Sequence, residues 1–299
     1  MDEIKLIPDV PDEIISASEN EELVVFIGAG VSRLVNCLGW DQLSANLIKA
    51  CYNHYGTDGK RLINNKAKLK LESIKDHRKV ISICYSLLDK NGFVNVFDIE
   101  MDKALQKNIR AAAPNIYSDL AKLKALFVTT NTDEQFDYFF ETPFVKFKIE
   151  HLKDQPRNEH LYHIHGSLKE RRKLVFRLTE YFDRYNNNDF KLFLSELNKK
   201  TILFIGYGLA EFELLEYLYK NKSVRKHFLL NGYYSGEEDY LRLEQTYYDE
   251  MGITVKPYLL DVDGYNQLNN VIKEWVNRIL TSSTTAIGRY KLIDEAIEV

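Results

Sequence analysis

Leu23-Val24-Val25-Phe26-Ile27-Gly28-Ala29-Gly30-Val31-Ser32 is an apolar run that feeds directly into a glycine turn. Five apolar, mostly β-favouring residues suit a strand buried on both faces of a parallel sheet. The glycines let the backbone turn sharply and approach a phosphate within hydrogen-bond reach, as at the start of a dinucleotide site. Three later segments also end an expected strand in unusual polar or glycine chemistry: Thr129-Thr130-Asn131-Thr132-Asp133, His163-Ile164-His165-Gly166 and Gly206-Tyr207-Gly208. Ligands of open α/β sheets bind beyond the carboxyl ends of the strands, so all four segments are expected to face one cleft.

Working outward, strands are expected at Leu23–Ile27, Leu126–Thr130, Val145–Ile149, Leu161–Ile164, Ile202–Ile205, Phe228–Leu230 and Ile253–Tyr258. Helical stretches at Phe212–Lys220, Tyr240–Glu250 and Tyr265–Leu280 alternate with them, the last with Leu268, Val271, Ile272, Trp275, Val276 and Ile279 at helical spacing. This alternation implies an α/β fold: a Rossmann-like parallel sheet with helices on both faces and right-handed crossovers. Between Trp40 and Lys122 no strand pattern stands out. Leu43, Leu47, Ile48 and Cys51 fit one helix there, and Val80, Ile81, Cys84, Leu87 and Leu88 another.

The expected organisation is an N-terminal segment over 1–22, a main domain over 23–280 with a helical insert at about 40–122, and a tail over 281–299. The tail opens with the linker-like Thr281-Ser282-Ser283-Thr284-Thr285. A short helix carrying Leu292, Ile293, Ala296 and Ile297 on one face follows it, suited to a contact with another subunit or domain.

With 299 residues, 45% of them hydrophobic and 28% charged, the chain is long enough for a substantial core. The net charge of -4 gives no bias toward nucleic acid. Lys60–Lys79 carries eight basic residues against two acidic ones, which reads first as a solvated helix face. No apolar run reaches the roughly 20 residues of a spanning helix, and the acidic, proline-broken start is unlike a signal peptide. Cys37, Cys51 and Cys84 are scattered and odd in number, which argues against a disulfide framework and a four-cysteine zinc site. A cytoplasmic location is the expectation.

Each polar segment has a structural and a chemical reading. Ser32 can cap a helix or bind a phosphate oxygen. Asn131 and Asp133 can close an Asx turn, or hold a ribose hydroxyl or a water. His163 and His165 are two apart and so share a strand face. A metal site there lacks a third ligand of suitable spacing, and acid–base work by His165 or a structural histidine remain. Gly206-Tyr207-Gly208 is a tight turn or the receiver of the adenosine side of a dinucleotide.

Taken together, Gly28–Ser32, Thr129–Asp133, His165-Gly166, Leu174–Tyr181 and Phe204–Leu209 resemble the sirtuin family, and more closely its sirtuin-like NADase branch found in bacterial antiphage defence. The resemblance spans about residues 20–280. It implies that Asn131 and His165 are the catalytic positions. It further implies cofactor-binding roles for Gly28, Ala29, Gly30, Ser32, Thr130, Asp133, Gly206, Tyr207 and Gly208. Thr132 stands where relatives often have Tyr or Ile, and Glu211 where many have Asp; neither removes a catalytic group.

Deacylase sirtuins carry paired cysteines for a structural zinc and a peptide-pairing strand, and neither pattern is present here. The resemblance therefore implies a hydrolase that cleaves NAD+ to nicotinamide and ADP-ribose, with NAD+ as substrate, no metal and no zinc. It also implies regulation, through a homo-oligomer or a companion sensor subunit, in an abortive-infection setting, without a membrane partner. The competing readings are an NAD-dependent protein deacylase and a non-catalytic module that binds NAD or ADP-ribose.

Overall fold

The computed structural model describes residues 4–139, 156, 158, 160–208, 212–220 and 226–297. The expected strand Val145–Ile149, and Leu209 and Glu211, lie outside them. In chain order the elements are α1 (Asp12–Glu19), β1 (Leu23–Ile27), α2 (Ala29–Arg33), α3 (Trp40–Asn53), α4 (Asn65–Glu72), α5 (His77–Lys90), α6 (Val94–Ala104) and α7 (Ile116–Leu120). Then come β2 (Leu126–Thr129), β3 (Leu161–His163), α8 (Leu178–Asn186), α9 (Asn188–Asn198), β4 (Thr201–Ile205) and α10 (Phe212–Lys220). β5 (His227–Tyr233), α11 (Glu238–Asp249), β6 (Ile253–Leu259) and α12 (Gln267–Ile297) complete the chain.

Among the described residues six strands form one parallel sheet in the order β3-β2-β1-β4-β5-β6. This is the doubly wound order in which the winding direction reverses between β1 and β4. Pairing of Val25 with Phe127 and with Leu203 fixes the register at the centre. β1 is buried along its whole length because both faces are covered. Leu23, Val25 and Ile27 enter one core layer with residues of α1, α7 and α12. Val24 and Phe26 enter the other, with residues of α9, α10 and α11.

A third core belongs to α3, α5 and α6, through Leu47, Cys51, Ile81, Cys84, Phe97 and Met101. It contains the apolar sets read from both insert helices. The helix starts follow local chemistry: the Asn64 and Asp76 side chains accept from the N–H groups of Ala67 and Lys79 at 2.8 and 3.1 Å. α7 does not join this helical layer, because Ile116, Tyr117 and Leu120 pack into the sheet core.

The expected linker at Thr281–Thr285 is instead part of α12, which runs unbroken to Ile297. Serine and threonine cost a helix only a fraction of a kcal/mol each, about 0.7 at most, and no Gly or Pro interrupts 267–287. A linker-like composition is therefore not a helix stop. No helix among the described residues is long and apolar enough to cross a membrane.

Candidate functional site

The carboxyl ends of β1, β2 and β3 open into one cavity of about 520 Å³, part of it open to solvent. One wall, mostly polar, comes from the chain just past the strand ends: Ala29 and Ser32 of α2, Thr130, Asn131, Thr132 and Asp133 after β2, and His165 after β3. Its apolar wall comes from the helical layer and the chain leading into it, through Leu38, Trp40, Leu43, Met101 and Leu105, with Tyr181 of α8 closing the side near His165. Among the described residues no lysine or arginine lines it.

Asn131 is fixed from three sides. Its N–H donates to Thr129 Oγ1 at 3.0 Å, and Thr129 Oγ1 in turn donates to the carbonyl of Ile27 at 3.0 Å. Its Nδ2 donates to the Gly28 carbonyl at 2.9 Å and to Ser32 Oγ at 2.7 Å. A carbonyl can only accept, so the Gly28 contact decides the amide orientation. Oδ1 is left as the amide atom without a protein donor among the described residues.

Ser32 is saturated by its neighbours. It donates to Asp133 Oδ2 at 2.6 Å, accepts from Asn131 Nδ2, and lies 3.0 Å from the Tyr117 hydroxyl. With the single Ser32 proton given to Asp133, Tyr117 must be the donor. Burial pushes Tyr117 well above its usual pKa of 10, keeping it a phenol. Asp133 accepts a second bond from the Gln135 N–H at 3.0 Å. Burial raises its pKa above 3.8 even though Ser32 and Gln135 favour the charged form. The result is a buried chain, Tyr117 to Ser32 to Asp133, that holds the Asn131 side chain from behind.

His165 sits in the turn that follows β3, with Gly166 at φ +81° completing the reversal. A Cβ on Gly166 would lie 2.5 Å from the Lys173 carbonyl oxygen, so the position requires glycine twice over. The His165 carbonyl accepts from Val175 N–H at 2.8 Å, and the Ile164 carbonyl accepts from buried Arg184 at 2.6 Å. The ring meets Tyr181 edge-on, centroids 4.9 Å apart, and its Nε2 lies 3.5 Å from the Tyr185 hydroxyl. His163, two residues earlier, bonds the Asn131 carbonyl and Asp137 and does not line the cavity.

Of the residues singled out from sequence, Ala29, Ser32, Thr130, Asn131, Asp133 and His165 meet around this cavity; Gly28, Gly30, Gly206, Tyr207 and Gly208 do not line it. The glycines meet each other at the reversal point of the sheet. Gly28 N–H donates to the Ile205 carbonyl at 2.9 Å, and Gly30 N–H to the Gly206 carbonyl at 2.8 Å. A Cβ on Gly28 would stand 2.5 Å from Gly206 O. These two N–H groups are thus spent on the neighbouring turn, and the absent side chains let two backbones touch. Tyr207 turns into the core, its ring 4.9 Å from that of Phe26. Asp261, at the end of β6, caps the Ser235 N–H at 3.2 Å.

Sequence reasoning missed Trp40, Met101, Tyr117 and Asp137. Tyr181 was present only as the end of a quoted segment. None has a local signature; each is brought to the site by packing. Among the described residues no group of three His, Cys, Asp or Glu side chains is placed to hold a metal ion.

Comparison with known proteins bears on the same region. No curated protein sequence matches the chain. A solved structure described as a Sir2 homologue–NAD complex is similar at 13% sequence identity with a TM-score of 0.41, covering 92% of this chain and 96% of that chain. Residues 125–255 match a family model described as a SIR2-like domain, a stretch that begins just before β2 and includes Asn131, His165 and the Gly206 turn. Over that stretch, the chain is similar to the SIR2-like domain family.

Proposed function

We propose that the protein hydrolyses the bond between nicotinamide and ribose in NAD+. The observation that carries this reading is the Asn131 amide, oriented from behind so that Oδ1 is its unspent atom, in a cavity shared with His165. The motif resemblance and the SIR2-like match over 125–255 supply the substrate class. Among the described residues the wall carries no lysine or arginine, which suits a pyridinium, positively charged until the bond breaks.

In the reaction the C–N bond breaks and its electron pair goes to the nicotinamide ring, which leaves neutral and needs no acid. Water oxygen bonds to the ribose carbon, and the water proton is lost to a base. The transition state resembles an oxocarbenium ion, as in other glycosidic cleavages. Asn131 Oδ1 can accept only, so it holds a ribose hydroxyl or the attacking water by its proton. His165 takes the other proton of the attacking water or polarises a ribose hydroxyl. The buried Asp133 stands behind Ser32 and adds negative potential on the side where positive charge develops.

Asn131→Ala should lower NAD+ consumption by at least about 100-fold, since it removes a positioned polar contact at the reacting centre. His165→Ala should do the same, with both variants melting close to wild type. The assay is release of nicotinamide and ADP-ribose by the purified chain, alone and with lysate of phage-infected cells. Wild-type turnover by Asn131→Ala would refute its role. Nicotinamide release only on addition of an acyl-lysine peptide would establish a deacylase, and saturable NAD binding without turnover a binding module. The reading extends, on the motif resemblance, to a regulated effector that depletes NAD+ in antiphage defence, working as an oligomer or with a companion subunit.

A further inference from the structure

His163 is buried at the end of β3, and both of its ring nitrogens face acceptors. Nδ1 lies 2.8 Å from the Asn131 carbonyl oxygen. Nε2 lies 3.0 Å from Asp137 Oδ2, in the short turn Asp137–Phe139. A carbonyl oxygen has no proton to give, and an ionised carboxylate has none either. A neutral imidazole carries one N–H and would leave one of these contacts without a hydrogen. With Asp137 ionised, only the doubly protonated ring satisfies both contacts, donating Nδ1–H to Asn131 and Nε2–H to Asp137.

The charges around the ring agree. Burial disfavours the cation, but the charge and hydrogen bond of Asp137, the Asn131 carbonyl and the charge of Asp133 outweigh it and raise the pKa above 6.5. Among the described residues, Asp137 and Asp133 are the ionisable groups that face the ring, one from the turn after β2 and one from the β2 end itself. Neither His163 nor Asp137 lines the cavity.

We propose that the Asp137–His163 ion pair is a positioning clamp for Asn131: the imidazolium holds the Asn131 carbonyl and so fixes the peptide from which Oδ1 is presented to substrate. The remaining ties of Asn131 among the described residues are to Thr129, Gly28, Ser32 and the Tyr117 phenol, groups that do not titrate near neutrality. His163 is, among the described residues, the partner that can be switched by pH. When it loses its second proton, the remaining N–H stays with the charged carboxylate of Asp137, the stronger acceptor, and Asn131 is no longer held on that side. Catalytic competence then falls on the alkaline side with the pKa of His163. The clamp rests on the reading of Asn131 as the residue that holds ribose or water.

The experiment uses the full chain labelled with 15N at histidine and asparagine, with His163 assigned by the spectrum of His163→Gln and Asn131 by that of Asn131→Ala, together with steady-state NAD+ consumption. Both ring nitrogens of His163 should be protonated at pH 7 in the wild type, and the Asn131 side-chain signals should shift with its titration. Asp137→Asn should lower kcat by about 100-fold with KM little changed, because the reacting geometry and not the binding surface is lost. Its alkaline limb of kcat should move to lower pH. His163→Gln, which keeps a donor but cannot titrate, should recover part of kcat relative to His163→Ala and show no such limb.

A singly protonated ring at pH 7, or an Asp137→Asn enzyme with wild-type kcat and pH profile, overturns the clamp. If the wild type turns over no NAD+ under any condition, the proposed activity fails. The histidine and Asn131 spectra still decide the clamp in that case: coupled titration supports it, and Asn131 signals indifferent to His163 overturn it.

Discussion

At the scale of single residues, two buried histidines show how partners decide charge. His227 accepts the Ile202 N–H at Nδ1, 3.3 Å away, and donates from Nε2 to Asn198 Oδ1 at 2.9 Å. One acceptor and one donor fit the neutral ring, and burial pushes its pKa down to about 4. His163 has two acceptors and is held charged. The two contribute opposite pH dependences. Between pH 6.5 and about 4 the unfolded chain protonates His227 and the native chain does not, so stability is lost as pH falls. That window bounds the effect at roughly 3 kcal/mol. The stability due to His163 is complete below pH 6.5 and is lost as pH rises through its raised pKa. Melting temperature against pH should thus decline on both sides. His227→Gln should flatten the acid side alone and His163→Gln the alkaline side alone. Alternation in Tyr162-His163-Ile164-His165 made both histidines of the β3 end visible in the sequence. Asp137, which decides the charge of one of them, was not visible, because a turn and not a motif brings it there.

At the scale of elements, apolar runs made the limits of five strands legible to within one residue, and the β1 limits coincide with the run itself, while β5 extends three residues past the expected Leu230 to Tyr233. What the glycines do was less legible. A glycine after a strand suits a phosphate or a second backbone equally, and only the tertiary fold shows Gly30 against Gly206. A Cβ at Gly30 would lie 2.9 Å from both Cα and O of Gly206, backbone atoms that cannot rotate away. Gly30→Ala is expected to destabilise by about 1–3 kcal/mol, the usual range for overpacking. Gly208 is the control: an added Cβ there meets nothing within 4 Å among the described residues. Gly208→Ala should melt as the wild type does, so a rise in its KM for NAD+ would report a ligand contact rather than a folding defect. Thermal melts and kinetics on the two variants separate the roles. At the sheet edge, Gln245 of α11 accepts from Val255 N–H at 2.8 Å and donates to the Ile253 carbonyl at 3.2 Å. Those β6 groups are thereby occupied, which blunts an edge that would otherwise invite pairing with another chain.

At the scale of the whole molecule, the site belongs to neither the sheet nor the helical layer but to their junction. Alternating strands and helices made the parallel sheet legible, and apolar spacing made the helices α3 and α5 legible. That these helices reach over the strand ends was not, since no local pattern encodes which neighbour a helix face will meet. The junction is sealed by the chain that follows His165. Leu168, Leu174 and Phe176 are buried in the core of α3, α5 and α6, and the Phe176 ring lies 5.2 Å from that of Phe97. On the same segment Arg171 pairs with Asp98 at 3.0 Å and with Asp102, both on α6. α6 also supplies Met101 to the cavity wall, so Arg171 couples the His165 segment to the apolar wall opposite. Arg171→Met removes the charges while keeping much of the stem. The pairs are partly exposed to water, so the loss of stability should stay within about 1 kcal/mol. The expected effect lies in binding: with the walls uncoupled, KM for NAD+ should rise several-fold while kcat, set by the Asn131 and His165 supports, changes less. Kinetics beside a thermal melt measures both, and an unchanged KM with a lowered melting temperature would show that Arg171 braces the fold without shaping the cavity.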